Sequence, residues 1–216
     1  FNGLGIPGGI PGAKNIPALD ALAGMIYPWF MVLMFVIAGM SARYSLQKRS
    51  EGQFILERAA KLLVPSTLGL FVVHWVTGLL NIKMGGALAM IPPALIYPIS
   101  ALSGIGPLWF VQTLFLFSLI LVLIRKLDKA DRLWTLGGKM GVPALALLFV
   151  LIWAAAQVLN MPVLTMYRFG IYFISFLIGY GVLSHDKALA ALEKSCIPLL
   201  CLAAAGAAVY AVQYGG

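Results

Sequence analysis

Charge is scarce in this chain: only 10% of its 216 residues are charged, and just seven are acidic. A soluble domain carries about a quarter charged residues. A globule covered by water is therefore excluded, and lipid must act as solvent for much of the surface. Cysteine is almost missing. Cys196 and Cys201 are the only two, five apart in an apolar run and so on different faces of a helix. Without a C-x-x-C or a His/Cys cluster, neither a disulfide framework nor a zinc site is expected. The apolar–polar alternation that membrane-barrel strands need in ~10-residue units is absent as well. No basic stripe interleaved with aromatic residues occurs, so nucleic acid is not an expected partner. No basic n-region with an apolar h-region and cleavage site opens the chain, which starts at Phe1. It reads as processed, or as a piece of something longer.

Apolar residues fill the remainder, at 62% of the chain. Crossing the hydrocarbon core takes ~20 of them in a helix. Six runs approach that length: 21–42, 62–82, 107–124, 140–160, 169–184 and 196–214. The expected fold is an all-α integral membrane protein, a single transmembrane domain over 1–216 with a bundle of about six helices. Lipid is its first partner. Trp29, Trp75, Trp109, Trp134 and Trp153 lie near span ends or within spans and read mostly as interface anchors.

The loops set the orientation. Arg43, Lys48, Arg49, Arg58 and Lys61 lie between the first two spans. Arg125, Lys126, Lys129, Arg132 and Lys139 follow the third, and Lys187 and Lys194 follow the fifth. Only Lys14, Lys83 and Arg168 fall on the other side. The positive-inside rule puts loops 43–61, 125–139 and 185–194 in the cytoplasm of a cell-membrane protein, with both termini and the 1–20 loop outside. Residues 84–106 are apolar but interrupted by Pro92, Pro93 and Pro98. A seventh span there would invert the basic 125–139 loop. The segment is instead expected to be interfacial or re-entrant, between the second and third spans, and covered by protein or lining a cavity.

The 43–61 loop is the most informative stretch. Ser50 and Gln53 match a capping box, predicting a helix from Glu51. Phe54, Ile55, Ala59 and Leu62 give that helix an apolar side suited to the membrane surface. Pro65 is expected to bend its entry into the second span. Arg58 and Lys61 are three apart and share a face. Two such cations suit either phosphate binding or simple anchoring, with Glu57 pairing to Lys61 at i, i+4.

Three stretches resemble acyltransferase family 3, membrane proteins that acylate hydroxyls of carbohydrates and other cell-surface molecules. The first runs from Met34 through Gly39 and Arg43 to Glu57-Arg58-Ala59-Ala60-Lys61-Leu62-Leu63-Val64-Pro65, similar to a family span followed by its R-x-x-R-L-x-x-P turn. The second, Gly106-Pro107-Leu108-Trp109-Phe110-Val111, is similar to G-H-L-W-F-L. The third, residues 169–180, ends Phe176-Leu177-Ile178-Gly179-Tyr180, as in F-x-x-G-Y. Lys61 departs from the family's Arg, keeping charge but losing the bidentate fork. Pro107 stands where many members have His. Members carry an Arg and a His taken as catalytic on an earlier span, so the chain is expected to be a fragment lacking that span. A piece without it would lack the family's base.

The resemblance implies an O-acyltransferase with cytoplasmic acyl-CoA as co-substrate, no bound cofactor, and a carbohydrate or glycan hydroxyl as acceptor. Arg58, Lys61 and Arg43 then become donor-phosphate candidates, and Trp109 and Pro107 cavity-lining ones. His74 is the only histidine within a span, set in apolar Val72-Val73-His74-Trp75 about three turns along. A titratable group at that depth is a site candidate, here for the base, against the plainer reading of a buried, hydrogen-bonded ring. His185 falls in a short loop and is expected to be solvated. The competing function is a small-molecule transporter, for which the Pro-broken 84–106 segment is a cue. Against it, no span holds Asp, Glu, Lys or Arg, and no inverted repeat is visible.

Overall fold

The computed structural model describes residues 17–104, 106, 108–128, 130–158 and 169–214, and every regular element among them is helical. They form two compact units, residues 1–44 with 128–216, and residues 45–127. Three helical stretches are long and apolar enough to cross a membrane: Trp29–Lys48, Glu51–Met84 and Leu108–Leu127. They match the first three expected spans. A fourth arises only if Phe169–Gly181 and Asp186–Lys194, bent by 106°, count as one. Helices also occupy the expected fourth and sixth spans, Val142–Val158 with 17 residues and Cys196–Tyr214 with 19. By length and composition the described residues give three candidate spans, or four if the bent pair counts as one.

In the first unit, α1 (Pro17–Lys48) meets α9 (Phe169–Gly181). α1 starts at Pro17, so the last four residues of the expected 1–20 loop are helical; residues 1–16 lie outside the described residues. A Cβ on Gly39 would overlap the Phe176 carbonyl, and one on Gly179 the Val36 carbonyl. The two backbones therefore touch through paired glycines, a contact suited to a membrane, where dispersion rather than water exclusion holds helices together. Phe35 and Tyr172 stack beside it with centroids 4.8 Å apart. The short α7 (Arg132–Gly138) rests on α9 through Gly137, which lies against the Gly181 carbonyl. α8 (Val142–Val158) also packs on α9, while α10 (Asp186–Lys194) meets α8 and α11 (Cys196–Tyr214). Buried Ser175 and Ser184 satisfy their hydroxyls on carbonyls four residues back, Ile171 and Tyr180.

In the second unit, one helical rod runs from Glu51 to Met84, 34 residues. At 1.5 Å per residue it is about 50 Å long, well beyond the ~30 Å core of a bilayer. Its polar start, α2 (Glu51–Arg58), thus extends past the apolar part. The capping box is present: the Gln53 amide donates to the Ser50 hydroxyl at 3.3 Å, and the Ser50 amide to the Gln53 side chain at 3.2 Å. A π turn follows at Ala59–Leu63, closed by the Val64 amide on the Ala59 carbonyl. Pro65 explains it, because its ring crowds the carbonyl four residues earlier and widens the turn. After α3 (Val64–Gly69) comes a second π turn, Leu70–His74, then α4 (Trp75–Met84). Val64, Leu68, Phe71, Val72, Val73, Val76 and Leu80 are exposed along the rod, as lipid contact requires.

The 84–106 segment is a short 3₁₀ turn and α5 (Pro93–Ser103), which folds back on α4. Gly78 takes the Ser100 carbonyl and Gly104 the His74 carbonyl, again closer than any Cβ permits. The Tyr97 hydroxyl donates to the Phe71 carbonyl at 2.7 Å. α6 (Leu108–Leu127) packs on α2, the first π turn and α3, with Leu108 3.5 Å from where Gly69 would carry a Cβ.

Candidate functional site

The basic rod end holds most of the expected donor residues. Glu57 pairs with Arg49 on one oxygen and with Lys61 at 2.5 Å on the other. Lys61 therefore shares its charge with a carboxylate one turn away. Arg58 is half-buried with its guanidinium carbon 5.1 Å over the ring of Phe54, itself fully buried. Among the described residues no carboxylate pairs with Arg58. Glu51 instead lies 3.8 Å from Arg125 Nε on α6. The sequence pattern placed Arg58 and Lys61 on one face; the structure adds that Lys61 is ion-paired with Glu57 while Arg58 lies over Phe54.

Arg43 belongs to the other unit and has partners of its own. Its side chain is only 8% exposed. One terminal nitrogen donates to Asp131 at 2.7 Å and to the Tyr180 hydroxyl at 3.1 Å. The guanidinium carbon is 3.8 Å from the Trp134 ring centroid. Trp134 stacks in turn on His185, centroids 3.5 Å apart, and the His185 ring Nε2 is 2.9 Å from the Trp134 carbonyl. His185 is thus half-buried in a stack and not a solvated loop residue. Asp131 takes a left-handed backbone conformation, φ 49°, just before α7. Nothing in the local sequence around Arg43 announced Asp131, Trp134, Tyr180 or His185; the nearest of them is 88 residues away.

His74 closes the second π turn. The Nδ1–Cε1 edge of its ring faces Gly106, which has φ +41°. Trp109 sits in the first turn of α6, its amide bonded to the Gly106 carbonyl at 3.5 Å and its ring edge-on to Phe110. Pro107 lies outside the described residues. The structure brings His74 and the Gly106–Trp109 turn to one corner of the second unit.

A family model described as an acyltransferase domain matches residues 4–216. The chain belongs to acyltransferase family 3. No curated protein and no solved structure matches it. Among its described residues this all-α membrane member of the family thus presents, at the polar end of the 51–84 rod, a guanidinium outside the side-chain ion pairs of its neighbours, Arg58, and an imidazole, His74, farther along the same rod.

Proposed function

We propose that this membrane acyltransferase moves an acyl group from cytoplasmic acyl-CoA to a hydroxyl of a carbohydrate or other cell-surface acceptor. The hydroxyl oxygen forms the new ester bond at the thioester carbonyl, the C–S bond breaks, and the hydroxyl proton ends on the CoA sulfur. Such a reaction needs a base and donors for the developing oxyanion. It also needs a grip on a polyanionic donor. Arg58 supports the reading most directly: among the described residues no carboxylate lies within ion-pair distance of its guanidinium, and it sits three residues from Lys61 on a helix end that projects past the apolar rod. A guanidinium binds phosphate through a two-point fork, whereas an ammonium acts as a point charge. Lys61, shared with Glu57, contributes less. Arg43 is already engaged by Asp131, so its part is to hold its own unit rather than the donor.

In this reading loops 43–61, 125–139 and 185–194 face the cytoplasm of the cell membrane, where acyl-CoA is found. The test uses the full-length protein in membrane vesicles with radiolabelled acetyl-CoA. Arg58→Ala should raise the donor KM at least tenfold, Lys61→Ala by less, with expression unchanged. An unchanged donor KM in Arg58→Ala would remove the site.

A further inference from the structure

We infer that Tyr97 is a positioning residue: its hydroxyl holds the second π turn of the rod in place, and with it the bearing of His74. The first π turn has Pro65 to account for it. The second, Leu70–His74, has no proline near it; none occurs between 66 and 91. Its cause lies on the neighbouring helix. In a regular α-helix the Phe71 carbonyl accepts from the Trp75 amide, four residues on. Here that amide turns to the Val73 carbonyl. The Phe71 carbonyl is taken instead by the Tyr97 hydroxyl at 2.7 Å. A side chain of α5 thus supplies the bond that the widened turn gives up. The Tyr97 ring also lies beside both residues of the broken pair, with centroids 6.4 Å from Phe71 and 5.8 Å from Trp75.

Both halves of the rod are held. On one side α4 and α5 touch backbone to backbone, the Ser100 carbonyl lying where Gly78 would carry a Cβ and the His74 carbonyl where Gly104 would. On the other, α6 packs on α2, the first π turn and α3. The number of residues between these anchors is fixed, so the surplus one cannot be expelled; it can only move along the rod. Each residue that it passes turns by ~100°. A carbonyl without a partner costs several kcal/mol where no water reaches it, so the widened turn stays where Tyr97 meets it.

The consequence for the reaction rests on the acyl-transfer reading above. Arg58 stands on one side of this turn and His74 closes it. The place of the surplus residue therefore sets the angle between the donor grip and the imidazole.

The experiment uses Tyr97→Phe, which keeps the ring and removes only the hydroxyl, in the full-length protein and in the same protein with Val72 deleted. The deletion removes the surplus residue, so Tyr97 has no π turn left to hold. Detergent melting should fall by about 2–4 °C in Tyr97→Phe, and by under ~1 °C when the same change is made on the deletion. Equal falls in the two backgrounds overturn the inference. Exchange of the Trp75 amide should change about three- to tenfold in Tyr97→Phe; unchanged exchange overturns the inference even where the deleted protein fails to fold. Positioning shows in the kinetics: kcat should fall about three- to tenfold while donor KM stays within about twofold, because α6 still holds the Arg58 end. An unchanged kcat, or a donor KM that rises as far as kcat falls, overturns the positioning role. A wild-type protein that transfers no acyl group to any hydroxyl overturns the acyl-transfer reading and the kinetic consequence, whereas the melting comparison still tests whether Tyr97 holds the turn.

Discussion

The guanidinium carbon of Arg43 lies 3.8 Å from the centroid of the Trp134 ring, while one of its terminal nitrogens is 2.7 Å from Asp131. The charge is buried and its carboxylate partner is 42% exposed, so the two ends of the pair are not equivalent. Removing Asp131 strands a cation with nowhere to go. Asp131→Ala should cost about 1–3 kcal/mol, read as a fall of roughly 2–4 °C per kcal/mol in detergent melting. Arg43→Lys should not restore stability, because an ammonium neither stacks flat on indole nor forks.

Gly39 and Gly52 should respond in opposite directions to alanine. A Cβ on Gly39 meets the Phe176 carbonyl and the Tyr180 amide, both backbone, so α1 and α9 must part. Overpacking of this kind costs about 1–3 kcal/mol. Gly52 has nothing within 4 Å of the added atom and sits in a helix. Gly52→Ala should stabilise by about 0.4–1 kcal/mol through the unfolded chain. Melting curves of the two variants side by side check both.

Ser50→Ala should loosen the start of α2 without disturbing the rest of the rod. The lost cap is worth about 0.5–2 kcal/mol, and the signal is faster amide exchange at Gln53 with little change beyond the first π turn. Ser50→Asp should keep most of the protection, since it can accept the same bond.

Asp128 supplies the pH prediction. Its carboxylate accepts from the Leu133 amide at 3.0 Å, and this bond, with a second from the Arg132 amide, holds its pKa below the usual value. A depressed pKa means the stabilising bonds are intact above the unfolded carboxylate value, near pH 4, and are lost as pH falls through the lower folded value. The protection of the Leu133 amide, taken relative to its intrinsic exchange rate at each pH, should therefore fall on acidification below about pH 4. Asp128→Asn should flatten that dependence.

Much of the fold was legible because lipid writes its requirement in plain composition. The first three spans follow from charge-free length alone, and the start of α2 follows from Ser50 and Gln53, three residues apart. A disturbance at Pro65 was legible too, but it takes the form of a π turn just before the proline in one continuous rod rather than the expected bend. The Glu57–Lys61 pair came from i, i+4 spacing. What stayed hidden was contact across sequence distance. Trp134 read as an interface anchor and His185 as a solvated loop residue, yet they stack on each other beside Arg43. The fifth run, 169–184, is the shortest of the six, and its helix stops at Gly181 before the chain turns sharply into α10.

The two π turns in the 51–84 rod give it an uneven phase. Each widened turn threads in one surplus residue, so everything beyond it is rotated by ~100° relative to a regular helix. Deleting a single residue within 70–74 would let the rod relax to ordinary pitch without breaking it. The imidazole would then swing off the Gly106 corner while the span remained just as apolar and just as able to insert. Relatives of this chain should accordingly be aligned here by azimuth, with one-residue gaps allowed, rather than by counting along the sequence.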